Sequence, residues 1–412
     1  MIVYIKPLLW LAIVFGIVQC YSCSFANNNA PFFKSAIAYA GADGLHYVQL
    51  SNKNDKLLVK GNIQRPVFTS NASYILYYSD TTLCAYNLTT NKSRELLEDA
   101  TAFCYYEQND TVYSASPATG LVNINLTNGV ATQVFDGEKD VRYSRIIVSP
   151  DLSMLCYERY YTVQNAQRNS GVYLYNISKQ FETAVSEQIT PIRDMVTPGV
   201  KPYICKWSTN QNYIMLWLIP NSYNNVDPVS VALYSLSDRQ LILLDDVIGK
   251  AMPYSENVNF SANGYMAIAS IKGTETKENI KIVKIPELTI EPLKLPDIES
   301  QMPCLSGIGT SILFSGLEQN ELCKIYLYDK DNCIRLSEKP NSRDEYPVFL
   351  HNNKYVLYQS YNNEKLSVSV LDIESKEHTL ITDKLYMPQI NLERITWRMM
   401  FDFYDNSDML ES

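Results

Sequence analysis

Along most of the chain, apolar and polar residues alternate for a few positions and then break at clusters of Asn, Asp, Ser, Pro or Gly. Runs at period two, punctuated this way, predict short strands joined by tight turns. The pattern also repeats on a larger scale. Pro66-Val67-Phe68-Thr69-Ser70-Asn71-Ala72-Ser73-Tyr74-Ile75-Leu76-Tyr77 returns as Pro347-Val348-Phe349-Leu350-His351-Asn352-Asn353-Lys354-Tyr355-Val356-Leu357-Tyr358. Proline, phenylalanine, asparagine, tyrosine and the closing apolar triplet keep their offsets. Repetition at this scale indicates a solenoid, propeller or array.

The first core position of the repeat is Phe68, with equivalents at Cys104, Val148, Trp207, Phe260, Leu305 and Phe349. Each is followed by a polar turn and a second apolar strand, so seven modules begin with an A–B strand pair. A second hairpin, C–D, follows in each, at 83–97, 121–135, 172–185, 231–244, 280–293, 324–336 and 366–381. An eighth C–D hairpin at 45–59 stands at the start, preceded by a strand at 36–40, and lacks an innermost strand. The segment 387–391 is placed to supply it, with 392–404 as a closing segment or short terminal helix. The expected fold is therefore all-β: an eight-bladed propeller with one blade split between the termini, seven blades being the alternative. Closing the ring this way removes open sheet edges.

Composition agrees. The 412 residues are 46% hydrophobic and 19% charged, with 31 tyrosines and 15 glycines. Aromatic side chains suit half-buried pleated surfaces. The net charge of −9 is dispersed and no basic stripe occurs, which argues against nucleic acid as a partner.

Residues 1–26 read as an export signal: Lys6, an apolar run from Leu8 to Val18, and Ser24-Phe25-Ala26 as a cleavage site. Residues 27–404 then form the propeller and 405–412 a tail, giving a periplasmic or extracellular protein. Lipidation of Cys23 or an uncleaved N-terminal segment would instead tie it to a membrane. Outside the leader, Cys84, Cys104, Cys156, Cys205, Cys304, Cys323 and Cys333 contain no CxxC pair, and most lie in predicted strands among apolar neighbours. They read as buried free thiols, with Cys323 and Cys333 the one pair worth testing for a disulfide.

The turn Val148-Ser149-Pro150-Asp151-Leu152, followed by Gly171-Val172-Tyr173-Leu174-Tyr175, resembles the Phe-Ser-Pro-Asp-Gly repeat of TolB-type propellers and of dipeptidyl-peptidase propellers. The resemblance spans residues 36–390, although only this module keeps Ser-Pro-Asp and Leu152 stands where the family has glycine. It implies a propeller scaffold. The peptidases also carry an α/β-hydrolase domain, and no Gly-x-Ser-x-Gly elbow occurs in this sequence. TolB's N-terminal domain has no room between Asn27 and Ala36. A propeller alone is therefore expected.

Lyases with such repeats hold a metal with several channel histidines, and this chain has only His46, His351 and His378. These read as solvated histidines, so no catalytic residue, metal or cofactor is assigned. Paired carboxylates such as Asp245-Asp246 read as solvated surface. Loop length points elsewhere: long segments at 159–170, 187–202, 219–230 and 272–279 should emerge on one face, and long loops on a rigid scaffold tend to carry binding residues. Arg159, Tyr160, Tyr161, Arg168, Arg193, Tyr223 and Asp227 are the candidate anchors. The function expected is binding or scaffolding, with a protein, peptide or envelope polymer as partner. The alternatives are a channel-site hydrolase or lyase, or a propeller serving a peptidase domain encoded elsewhere.

Overall fold

In the computed structural model, the described residues are 35–138, 140–163, 166–185, 200–220, 229–247, 255–270, 277–285, 287–307, 309–319, 321–350, 353–362, 365–386 and 400–405. They form eight antiparallel four-stranded sheets. Seven follow chain order, as blades 1 to 7 at 63–97, 102–135, 141–184, 200–247, 258–292, 299–335 and 343–382. Blade 8 joins the two ends. Phe401–Tyr404 is its innermost strand and pairs with Ala36–Gly41, followed by Gly44–Gln49 and Asp55–Lys60. The split-blade expectation holds, but the closing strand is 401–404. Segment 387–391, expected to supply it, lies outside the described residues.

The blades pack face to face through apolar layers. Ile37, Tyr39 and Val48 of blade 8 meet Leu350, Leu357 and Val368 of blade 7, and Leu313 and Ile325 of blade 6 meet Val356 and Leu371. Successive strand positions alternate between sheet faces. A blade between two neighbours must bury both, which explains all-buried strands such as Val229–Ser235.

The A–B turns repeat one local device. A buried hydroxyl at Thr69, Ser149, Ser208, Ser261 or Ser306 accepts the amide hydrogen of Tyr74, Met154, Tyr213, Tyr265 or Ser311 respectively. In three of these turns the hydroxyl also donates to an Asn or Asp two residues on: Asn71, Asp151 and Asn210. The turn then needs a left-handed residue, met by Ala72 (φ 49°), Leu152 (φ 60°), Gln211 (φ 64°) and Gly264 (φ 80°). Non-glycine residues accept this conformation at a cost, so the scarce glycine does not mean scarce turns.

Along the innermost strands, side chains reach from one blade to the next in a constant direction. The Asp402 carboxylate of blade 8 accepts the Phe68 amide hydrogen of blade 1 (2.8 Å). Arg65 lies over the Phe103 ring of blade 2, 4.7 Å from its centroid. Arg145 donates to the carbonyls of Ile204 and Cys205 in blade 4. Lys206 donates to the Val258 carbonyl in blade 5 (2.6 Å), and Asn259 accepts from the Leu305 amide in blade 6 (3.0 Å). The innermost strand is a sheet edge whose backbone groups would otherwise lack partners.

The described cysteines are free. Cys333 faces Tyr328 across its hairpin, about 16 Å along the strand from Cys323. The disulfide is therefore excluded, since bridged Cα atoms must lie within about 7 Å. Burial pushes the thiols of Cys84, Cys205 and Cys323 up to about 11, which keeps them protonated and inert.

Candidate ligand site in the central channel

A cavity of about 450 Å³ opens in the channel where the innermost strands converge. Its walls come from blades 1, 4, 5, 6, 7 and 8. Pro66, Pro303 and Pro347 supply apolar surface together with Val67, Met302 and Phe401, while Arg65, Lys206, Glu256 and Asp402 add two positive and two negative groups. Such size and mixed lining are typical of ligand pockets.

Three wall strands share an unusual backbone feature. Arg65, Met302 and Tyr346 have φ of 48°, 55° and 57°, and each precedes a proline. At each of them the register slips, between Gln64 and Val67, between Gln301 and Cys304, and between Glu345 and Val348. A left-handed non-glycine residue is strained, and a following proline restricts it further. Bulges of this kind re-aim side chains near binding sites. The three strained steps belong to blades 6, 7 and 1, the last two of which flank the ring-closing blade 8.

The residues singled out from sequence fall differently. The segment 159–170 is not a loop: strands Met154–Val163 and Ala166–Asn176 run through it as one extended hairpin. Arg159 is engaged within the blade, over the Tyr173 ring (3.9 Å to centroid) and paired with Glu182 (3.3 Å). Tyr160 is half-buried, whereas Tyr161 is 41% exposed on the face where strands B and C connect. Arg168 faces Tyr161 across the hairpin. Arg193, Tyr223 and Asp227 lie outside the described residues. The channel pocket itself was not singled out. Its signal was the recurrent proline two residues before Phe68, Leu305 and Phe349.

One histidine needs a correction, while His378 is exposed as expected. His46 is 5% exposed, not solvated, and both ring nitrogens meet carboxylates. The exposed His378 meets the Tyr358 hydroxyl (2.8 Å), and the partial desolvation of its ring on that side holds its imidazole below the ordinary histidine range. His351 lies outside the described residues. Neither described histidine lines the channel pocket, and the described residues contain no cluster of three or more potential metal ligands. No helix among the described residues is long and apolar enough to cross a membrane.

No protein-family model and no curated protein matches this sequence. Solved structures do. A dipeptidyl peptidase 4 of Porphyromonas gingivalis superposes with a TM-score of 0.61 at 12% identity, over 83% of this chain and 57% of that one. The likeness is one of fold, an eight-bladed β-propeller. An oligogalacturonate lyase of Vibrio parahaemolyticus gives 0.50 at 12% identity, covering 84% of this chain and 98% of that one. TolB-like propellers are also among the neighbours, TolB of Acinetobacter baumannii at 0.38 and 13% identity over 78% and 79%. The chain thus spans little more than half the length of the peptidase it matches, and identities this low speak for the fold alone.

Proposed function

We propose that this chain is an exported binding propeller that takes an extended segment of a protein or peptide into its channel. The observation that carries this reading is the mixed pocket bordered by three strained Xaa-Pro steps. Its two bases and two acids give no uniform field for a polyanionic or polycationic polymer. Its prolines, Met302 and Phe401 suit an apolar side chain, with nearby charges to orient a peptide. Tyr161, on the hairpin that prolongs blade 3, provides an exposed aromatic contact at the rim. Export rests on the leader-like composition of residues 1–26.

The test is a selection of random peptides on the full chain, repeated with Val67→Trp and with Val348→Trp, which fill the pocket from two walls. Enriched peptides should carry apolar residues and lose affinity about tenfold or more, equivalent to about 1.4 kcal/mol, in a variant that melts as a folded protein. Peptides bound equally by both folded variants would exclude the channel as the site.

A further inference from the structure

Most polar side chains that cross between blades along the channel wall are spent on backbone. Asp402 and Asn259 accept the amide hydrogens of Phe68 and Leu305. Arg145 and Lys206 donate to the carbonyls of Ile204, Cys205 and Val258. Arg65 is different. Its guanidinium carbon lies 4.7 Å from the centroid of the buried Phe103 ring. A ring face attracts a cation but has no lone pair to take its N–H groups. The buried Tyr78 hydroxyl lies close by without hydrogen-bond geometry. No ion pair or hydrogen bond joins the guanidinium to another described residue. Arg145, lowered chiefly by its burial and further by the Arg65 charge, adds positive potential on the same side.

The backbone is strained to put this group on the cavity wall. Arg65 shares its left-handed step before proline with Met302 and Tyr346. Those two side chains are 4% and 2% exposed and fill the interior. The Met302 step is also held by Asn257, which accepts its amide hydrogen (3.2 Å). Arg65 remains half-buried and lines the cavity beside Pro66, Val67 and Phe401. Strain that persists at such a position marks ligand clamps. A guanidinium amid apolar surface suits a planar carboxylate, which it can grip with two parallel N–H bonds.

We infer that Arg65 is the anchor for a carboxylate of the bound ligand. The inference rests on the channel reading above and adds a ligand chemistry to it. The segment taken up is apolar and carries a carboxylate, supplied by its C-terminus or by an acidic side chain. Phe103 holds the guanidinium in place, and the prolines receive the apolar part.

Ligand-observed NMR on the full chain, with benzoate against isosteric benzamide, tests the anchor without a peptide. Benzoate should bind about tenfold more tightly than benzamide. Arg65→Gln should abolish that preference. Arg65→Lys keeps the charge without the fork and should retain part of it. Melting curves confirm that each variant is folded. A preference that survives Arg65→Gln, or no preference in the wild type, would overturn the anchor. The source of the carboxylate follows from selecting N-acetylated random peptides in separate sets. Enrichment from acid-free peptides with free C-termini assigns the terminal carboxylate. Enrichment from amidated peptides containing Asp and Glu assigns the side chain. Equal enrichment from acid-free, amidated peptides would leave peptide binding intact and overturn the anchor. A benzoate preference lost in Arg65→Gln, with no peptide enriched from any set, would uphold the anchor and overturn the peptide reading.

Discussion

The two rims of the ring are built by different means. On the rim carrying the A–B turns, five blades use the same local device, a buried hydroxyl capping the next strand across a left-handed residue, and in three of them an Asn or Asp two residues on accepts from that hydroxyl. Within the device every partner is within five positions in sequence, although single bonds such as Asn71 to Asp110 and Thr209 to the Ser261 carbonyl also tie neighbouring turns together. On the opposite rim the contacts are individual and distant. Lys384 reaches Asp55, Gly41 bridges Leu385, and the blade 3 hairpin extends well beyond the turn of blade 1 at 79–82. The first rim is local chemistry repeated to make a stiff frame. The second is where the chain departs from its own repeat, and among the described residues the departures shown lie in blade 3 and at the seam of blades 7 and 8.

The frame depends on cross-blade anchors as well as on turns, and the largest expected effect separates the two. Glu158 is buried. Its carboxylate accepts from the Ser144 hydroxyl (2.6 Å) and from the Ile204 amide of the next blade (2.6 Å). Glu158→Ala orphans both donors at the seam of blades 3 and 4. The expected loss is about 3 kcal/mol in urea unfolding, since removing a buried charged partner leaves the others uncompensated. Glu158→Gln keeps an acceptor for one donor and should lose less. Equal losses in the two variants would mean that the carboxylate charge, which both substitutions remove, holds this seam, and that neither side-chain volume nor the acceptor retained by Gln contributes.

A turn cap should matter less. Ser208→Ala removes the acceptor for Tyr213 and the donor to Asn210 within one turn. Its buried site lets little water replace them. The expected cost is about 1 to 2 kcal/mol, with the same loss at Ser149→Ala because the device is the same. Unequal losses at the two sites would show that tertiary surroundings, rather than the local motif, set the energy.

The same contrast governs what could be read from sequence. Turn hydroxyls, Asn and Asp positions and strand alternation are short-range signals, so eight modules and the split blade were legible. The closing strand was not. Phe401–Tyr404 has no turn motif before it, and its place is set by pairing with Ala36–Tyr39, more than three hundred and sixty residues away in the chain. His46 looked like any lone histidine, because its two carboxylate partners flank it at unrelated spacings, three residues before and nine after. The channel pocket was half visible. The prolines were counted as part of the repeat, but the strain of the residues before them is a property of the bulge and not of the sequence pattern.

The smallest effect tests how local the regular rim is. Gln211 holds φ at 64° in the turn after Ser208, where Gly264 holds φ at 80° in the equivalent turn of the next blade. A non-glycine residue in this conformation is disfavoured by about 1 to 2 kcal/mol, while introducing glycine frees the unfolded chain at a cost of about 0.4 to 1 kcal/mol. The terms oppose each other, and Gln211→Gly should gain about 0.5 kcal/mol. The reverse change has an added steric penalty: a Cβ on Gly264 would sit 3.1 Å from the Ile285 carbonyl oxygen. Gly264→Ala should therefore destabilise by about 1 kcal/mol. Opposite signs at equivalent positions, read from paired denaturation curves, would establish that each turn is settled by its own backbone. A gain in both would mean that the neighbouring blades, and not the left-handed residue, dictate the geometry of this rim.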